Sequence, residues 1–179
     1  STCLFSESIL AKAGATVGTF TSPHLERWTE RFRIGGEEVA PGRLAEAVIS
    51  GANNPLFATV DVVSKRAQDS GPTDLLWANA LLLGTPENFG YMSGAMKDFL
   101  DRTFYEVEGQ IQPLPYSVFI SAGNDGSGAL RAIRRIANGF PFTEVQEPLI
   151  VKGEIKKPDL NNATELGMSI AAGLDAGIY

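Results

Sequence analysis

Apolar positions recur along the chain in two alternating periods, and Gly and Pro punctuate them. Leu44, Ala47, Val48 and Ala52 fall at helical spacing and predict a helix over 43–52, with Pro41 just ahead of it. Met96, Phe99, Leu100 and Phe104 mark one face of a helix over 93–107. Further helices are expected over 2–13, ended by Gly14, and over 128–138 and 162–175. Between them lie short β-rich runs at 16–21, 31–34, 58–63, 80–84, 116–121 and 144–151. The run Ala80-Leu81-Leu82-Leu83-Gly84 is apolar without alternation, as in a parallel strand covered on both faces. Strands alternating with helices predict the α/β class, a three-layer doubly wound parallel sheet.

One of the β-rich runs in the first 40 residues is expected to join that sheet, and the TVGTFT run at 16–21 is the better candidate, because 31–34 carries Arg31 and Arg33.

Composition narrows the classes of function. The chain has 179 residues, 44% hydrophobic, with a formal net charge of -6. Its densest basic group is Arg131, Arg134 and Arg135, so neither nucleic acid nor an anionic membrane is an expected partner. No apolar run approaches the roughly 20 residues of a membrane span. Ser1–Leu10 lacks a basic region and contains Glu7, so no signal peptide is expected, and a chain opening on Ser is expected to have been trimmed, processed or engineered. A lone Cys3 fits a reducing, cytoplasmic setting and reads as a core residue. The single His24 excludes a multi-histidine metal site.

Ligands of doubly wound sheets bind beyond the carboxyl ends of the strands. Two loops qualify. Thr85, Pro86, Glu87, Asn88, Phe89, Gly90 and Tyr91 follow the run at 80–84, and Ser121, Ala122, Gly123 and Asn124 lead into a glycine-rich turn ahead of the helix at 128–138. The first loop offers a hydroxyl, an amide and a carboxylate beside two aromatic rings. The second offers free N–H groups at a helix start, suited to an anion or a polar ligand edge. Both could equally be plain connectors. Trp28 and Trp77 read as packing residues, and Lys97–Asp101 and Asp98–Arg102 as i,i+4 pairs on a helix face.

The run from Gly84 to Gly94, continued by Met96-Lys97-Asp98-Phe99-Leu100-Asp101-Arg102, resembles the flavodoxin-like NAD(P)H-dependent FMN and quinone reductases. Their pattern is a G-T-P loop, a small-residue stretch and then K-x-F-[LF]-D-R, and the likeness covers about residues 43–179. The resemblance implies FMN as cofactor, with residues 85–91 against the ring and ribityl chain and 121–124 on its other side. Thr85 and Asn88 would supply polar contacts to the ring edge. It further implies NAD(P)H as transient substrate, a small quinone or flavin as electron acceptor, and a homodimer or homotetramer. Catalysis would rest on the cofactor, with no side chain assigned a catalytic role. Where that family has a S/T-x-T-G-x-T phosphate loop, this chain has Glu37-Glu38-Val39-Ala40-Pro41-Gly42, whose carboxylates repel a phosphate dianion and whose proline lacks an N–H. A compromised phosphate loop is therefore expected.

The first 48 residues resemble a different family. Ser1-Thr2 opening a helix, then Gly18-Thr19-Phe20-Thr21-Ser22-Pro23-His24-Leu25 and Glu30-Arg31-Phe32-Arg33-Ile34-Gly35-Gly36-Glu37, are similar to folylpolyglutamate/dihydrofolate synthases. The Lys and Gly of that family's phosphate loop are absent, so an ATP-dependent ligase fragment is the least favoured reading. The two resemblances meet at Leu44–Val48, which suggests a chimera with a ligase-like segment over 1–42 completing a flavodoxin-like domain over 43–179. A folded chimeric scaffold without cofactor or activity is the competing reading.

Overall fold

A computed structural model describes residues 18–20, 32–34, 37–38 and 42–179. The predicted helix at 2–13, His24 and Trp28 lie outside them. The chain divides into two compact units, residues 1–43 and 44–179.

In the first unit, β1 (Gly18–Phe20), β2 (Phe32–Ile34) and β3 (Glu37–Glu38) form an antiparallel three-stranded sheet in that order. This corrects the expectation that 16–21 enters the parallel sheet. Gly18 pairs with Ile34 and Phe20 with Phe32, so both β-rich runs find their partners in each other. A short antiparallel closure costs less chain entropy than a long crossover. Glu37 and Glu38, expected in a loop ahead of the helix, pair with Ile34 and Arg33.

The second unit begins with α1 (Arg43–Ala52), as predicted. Two single 3-10 turns at Pro55–Phe57 and Ala67–Asp69 and a short helix α2 (Pro72–Trp77) follow. Then come β4 (Leu81–Asn88), β5 (Tyr91–Met92), α3 (Gly94–Val107), β6 (Pro115–Ala122), α4 (Ser127–Ala137), β7 (Thr143–Glu144), β8 (Leu149–Lys152) and α5 (Lys157–Asp175). β4 and β6 run parallel in register from Leu81↔Tyr116 to Pro86↔Ser121. β7 and β8 pair in succession with β6, also parallel. The single strand expected over 144–151 is thus broken in two, around a stretch containing Pro148, which has no N–H to give a ladder.

The strand expected over 58–63 is absent. Val60 and Val62 are half-buried while Asp61 and Val63 are exposed, so the alternation is real, but among the described residues no strand pairs with the segment. Periodicity supplies a face for burial, and a strand also needs a neighbour.

Each face of the sheet carries its own core. Met96, Phe99 and Leu100 of α3 and Ile133 of α4 pack with Val118 and Ile120 on one side. Leu44 and Val48 of α1 and Ala163 of α5 pack with Val151, Leu82 and Phe119 on the other. On that second side, α1 and α5 cross almost backbone to backbone. A Cβ added at Gly51 would lie 1.9 Å from the Thr164 carbonyl oxygen, and one at Gly167 would lie 2.0 Å from that of Val48.

An ion pair joins α4 to β7, with Arg134 Nε 2.8 Å from Glu144 Oε2. The Arg134 hydrogen bond holds the Glu144 carboxyl below its ordinary value, and Arg134 is raised in turn. Burial, followed by the Glu144 carboxylate, pushes the neighbouring Tyr116 hydroxyl up to about 12. A carboxyl depressed on folding stabilises the fold above its unfolded pKa and loses that contribution as pH falls. Wild type should therefore lose stability below the ordinary glutamate value of 4.5 more steeply than Glu144→Gln. The difference should be about 1 kcal/mol or less, because the arginine is half exposed. Melting curves at pH 7, 5 and 3.5 would measure it, and parallel curves for the two proteins would refute it.

Candidate functional site

The carboxyl ends of β4 and β6 lie side by side, and the two predicted loops emerge there together. Asn88 pairs with Tyr91, leaving Phe89-Gly90 as a two-residue hairpin turn. Both turn residues have positive φ, 53° at Phe89 and 73° at Gly90, as a type I′ turn requires. Gly90 adopts this freely. Phe89 carries an unfavourable conformation of about 1 kcal/mol, and its ring is fully exposed at 109% of the reference area. An aromatic side chain that is both strained and unburied does nothing for the fold, so it points to a use outside it.

The hairpin is fastened from below. Thr85 is buried; its hydroxyl accepts from the Ser93 N–H at 2.9 Å and donates to the Pro86 carbonyl at 3.0 Å. Ser93 caps α3 by accepting from the Met96 N–H at 3.2 Å. Glu87 reaches across to α4, where its carboxylate accepts from the N–H groups of Gly126 (3.0 Å), Gly128 (3.1 Å) and Ala129 (3.3 Å). A carboxylate at a helix start satisfies otherwise orphaned donors and complements the helix dipole. The amides read from the sequence as free for an external anion are therefore held by the protein's own Glu87.

Glycine is required at both contact points. Gly126 sits at φ 75°, and a Cβ there would meet Ile150 at 2.5 Å. A Cβ at Gly128 would fall 1.9 Å from the Gly90 carbonyl oxygen. The turn thus lies directly against the first turn of α4.

A depression of about 420 Å³ opens between these parts, lined by Glu87, Phe89, Gly90, Gly123, Asn124, Asp125, Ser127 and Gly128. Five of the eleven site residues expected from the sequence line it: Glu87, Phe89, Gly90, Gly123 and Asn124. Thr85 and Ala122 are buried beneath it. Pro86, Asn88, Tyr91 and Ser121 border the same strand ends without lining it. Asn88 follows Glu87 in an extended strand and so points to the opposite side.

Asp125, Ser127 and Gly128, from the glycine-rich turn that follows the predicted residues 121–124, line it as well. Three glycines within six residues at a helix start were the available signal for them. The Ser127 hydrogen bonds hold the Asp125 carboxyl below its ordinary value. With Glu87 and Asp125 among its lining residues, the depression disfavours a phosphate.

Other candidate chemistry resolves into structure. Lys97–Asp101 and Asp98–Arg102 form the expected helix pairs. Arg102 also donates to the carbonyls of Ala67 at 2.8 Å and Ser70 at 2.6 Å, anchoring the turn before α2. Among the described residues no cluster suits a metal ion, and no helix is long and apolar enough to cross a membrane.

A family model for NADPH-dependent FMN reductase matches residues 48–153. A flavodoxin from Aquifex aeolicus (strain VF5) is 33% identical over 86 residues, 48% of this chain and 45% of that protein. An NAD(P)H dehydrogenase (quinone) from Syntrophus aciditrophicus (strain SB) is 28% identical, covering 73% and 77% of the two chains. A folylpolyglutamate synthase from Arabidopsis thaliana matches locally, 55% identical over 40 residues, or 22% of this chain and 6% of that protein. The chain thus spans less than half the length of the first of these relatives and a small fraction of the synthase. Among solved structures, a flavodoxin from the domain Archaea superposes with a TM-score of 0.64 at 24% identity, over 76% of this chain and 93% of the other, and identifies the fold as flavodoxin-like.

Proposed function

The chain belongs to the NADPH-dependent FMN reductase family, and from that premise we propose that it is an FMN-binding oxidoreductase acting between NAD(P)H and a small quinone or flavin acceptor. One observation carries the reading: Phe89, strained and fully exposed, stands over a depression at the strand ends whose other wall is Gly123-Asn124. That arrangement suits the ring end of FMN. The phosphate end has a weaker case, because Glu37 and Glu38 are taken up in β3 and the α4 amides are held by Glu87. Bound there, FMN would supply reversible hydride acceptance.

The residues around it have positioning roles. Phe89 would cover one face of the ring and exclude water. The Asn124 amide would offer a hydrogen bond to a polar ring edge, and the Gly123 backbone would allow close approach. Glu87 would hold both walls at a fixed separation. We extend the proposal to a homodimer or homotetramer in which a second copy covers Phe89, and light scattering of the flavin-loaded protein would test it.

The visible spectrum of protein mixed with FMN and passed through a desalting column tests the cofactor. Retained flavin absorbance is expected for wild type. Asn124→Trp should lose it while changing stability by about 0.5 kcal/mol or less, since the position is an exposed loop. Equal retention by both proteins would remove Asn124 from the site, and no retention by either would favour a scaffold without cofactor.

A further inference from the structure

Two cations from different elements flank the Asp125–Ser127 side of the depression. Arg131 lies one turn after Ser127 on the same face of α4. A helical side chain leans back toward the N-terminus of its helix, which carries this guanidinium toward Ser127 and Asp125. Lys152 ends β8 in register with Ala122, and the N–H of Gly153 donates to the Ala122 carbonyl at 2.8 Å. Strand residues alternate between faces. Val151 packs with α1 and α5, and Ile150 with the core of α3 and α4, so Lys152 lies on the α4 face, one step past Ile150. Ile150 already abuts the turn before α4, where a Cβ at Gly126 would meet it at 2.5 Å. Lys152 thus reaches that turn from the sheet, and Arg131 reaches it from the helix.

Asp125 responds to both. Hydrogen bonds from Ser127, its N–H at 2.7 Å among them, chiefly hold the Asp125 carboxyl low, and the charges of Lys152 and then Arg131 lower it further. Arg134, the next arginine along α4, is committed instead to Glu144. Guanidinium and ammonium each carry several donors, more than one carboxylate occupies. A guanidinium matches two phosphate oxygens at once, and an ammonium adds a point charge.

The whole chain has a formal net charge of -6, so an anionic substrate is repelled at long range and must be held by local positive charge. A dinucleotide delivering hydride to a ring in the depression keeps its phosphates outside, because Glu87 and Asp125 disfavour a phosphate within. Resting on the reading of NAD(P)H as hydride donor, we propose that Arg131 and Lys152 form the subsite that binds the phosphates of that dinucleotide. Two anions share the required chemistry, the pyrophosphate common to NADH and NADPH and the 2′-phosphate of NADPH alone.

The test uses the full chain, with and without FMN. NADP+ and NAD+, which carry the same phosphates as the reduced forms, are titrated calorimetrically against wild type, Arg131→Gln, Lys152→Gln and the double variant. Arg66→Gln, ahead of the 3-10 turn at Ala67–Asp69, is the charge control. All three side chains are exposed, so melting temperatures should not move. NADP+ affinity is expected to fall roughly fivefold in each single variant and roughly twentyfold in the double. Arg66→Gln should stay within about twofold, since a distant surface charge is screened. A loss confined to NADP+ assigns the pair to the 2′-phosphate, and an equal loss for NAD+ assigns it to the pyrophosphate. With FMN bound, the limiting rate of flavin bleaching by NADPH should change by less than about twofold, because the cations bind without touching the reacting ring. Unchanged affinity in the double variant, an equal loss in Arg66→Gln, or no NADP+ binding by wild type at millimolar concentration would each overturn the proposal. NADP+ binding that depends on Arg131 and Lys152 in a chain retaining no FMN would overturn the flavin reading alone and leave the phosphate subsite standing.

Discussion

Gly167→Ala is expected to destabilise the protein by about 3 kcal/mol, lowering its melting temperature by about 10 °C. Intrinsic propensity argues the other way, since alanine is better than glycine in a helix interior by about 1 kcal/mol. Geometry decides between them. The new Cβ would sit 2.0 Å from the Val48 carbonyl oxygen and 2.8 Å from the Ala52 N, both backbone atoms of α1. Backbone cannot rotate aside as a side chain can, so α1 and α5 must separate. Separation strips contacts from Leu44, Val48 and Ala163, which are at most 5% exposed. Gly94→Ala supplies the control, because no heavy atom lies within 4 Å of its Cβ position. At that first position of α3 the exchange should be neutral or stabilising by about 0.5 kcal/mol. If thermal melting finds Gly167→Ala at or above wild type, the close crossing is wrong.

The second large effect is expected at Glu87. Glu87→Ala should cost about 2 kcal/mol or more, since hydrogen bonds to a charged acceptor contribute more than neutral ones and three amides lose theirs together. Glu87→Gln keeps one carbonyl acceptor and should fall between the two. Amide exchange at Gly126, Gly128 and Ala129 should quicken in both variants by more than it does at the core amides of β6. Melting of Glu87→Ala indistinguishable from wild type would mean that water replaces the carboxylate without loss.

Much of this architecture was legible in the sequence. The helix over 43–52 follows from apolar spacing at Leu44 and Val48, and β4 as a buried parallel strand from the uninterrupted apolar run at 80–84. What failed depended on partners. Val60, Val62 and Val63 carry a strand's composition, yet their neighbours were fixed by the topology of distant segments, which no local window reports. TVGTFT was equally β-rich and paired with residues 32–34 through an antiparallel closure. The two loops at the strand ends were legible, because glycines and polar residues after buried runs mark such ends. Their internal wiring was not. Nothing in the residue type of Glu87 distinguishes a ligand-facing carboxylate from one engaged with amides about 40 positions later. The positive φ of Phe89 was likewise hidden, since an Asn-Gly pair marks such a turn and Phe-Gly does not.

Phe89 also bears on how this protein would respond to selection. Glycine or asparagine adopts its backbone angles at lower cost, and an unburied ring gives nothing back to the folded state. A library randomised at position 89 and screened for heat resistance alone should drift to Gly or Asn. The same library screened for retained flavin should keep an aromatic residue. The hairpin tip would then be a place where durability and activity compete for one side chain, and where gains in one are bought with the other.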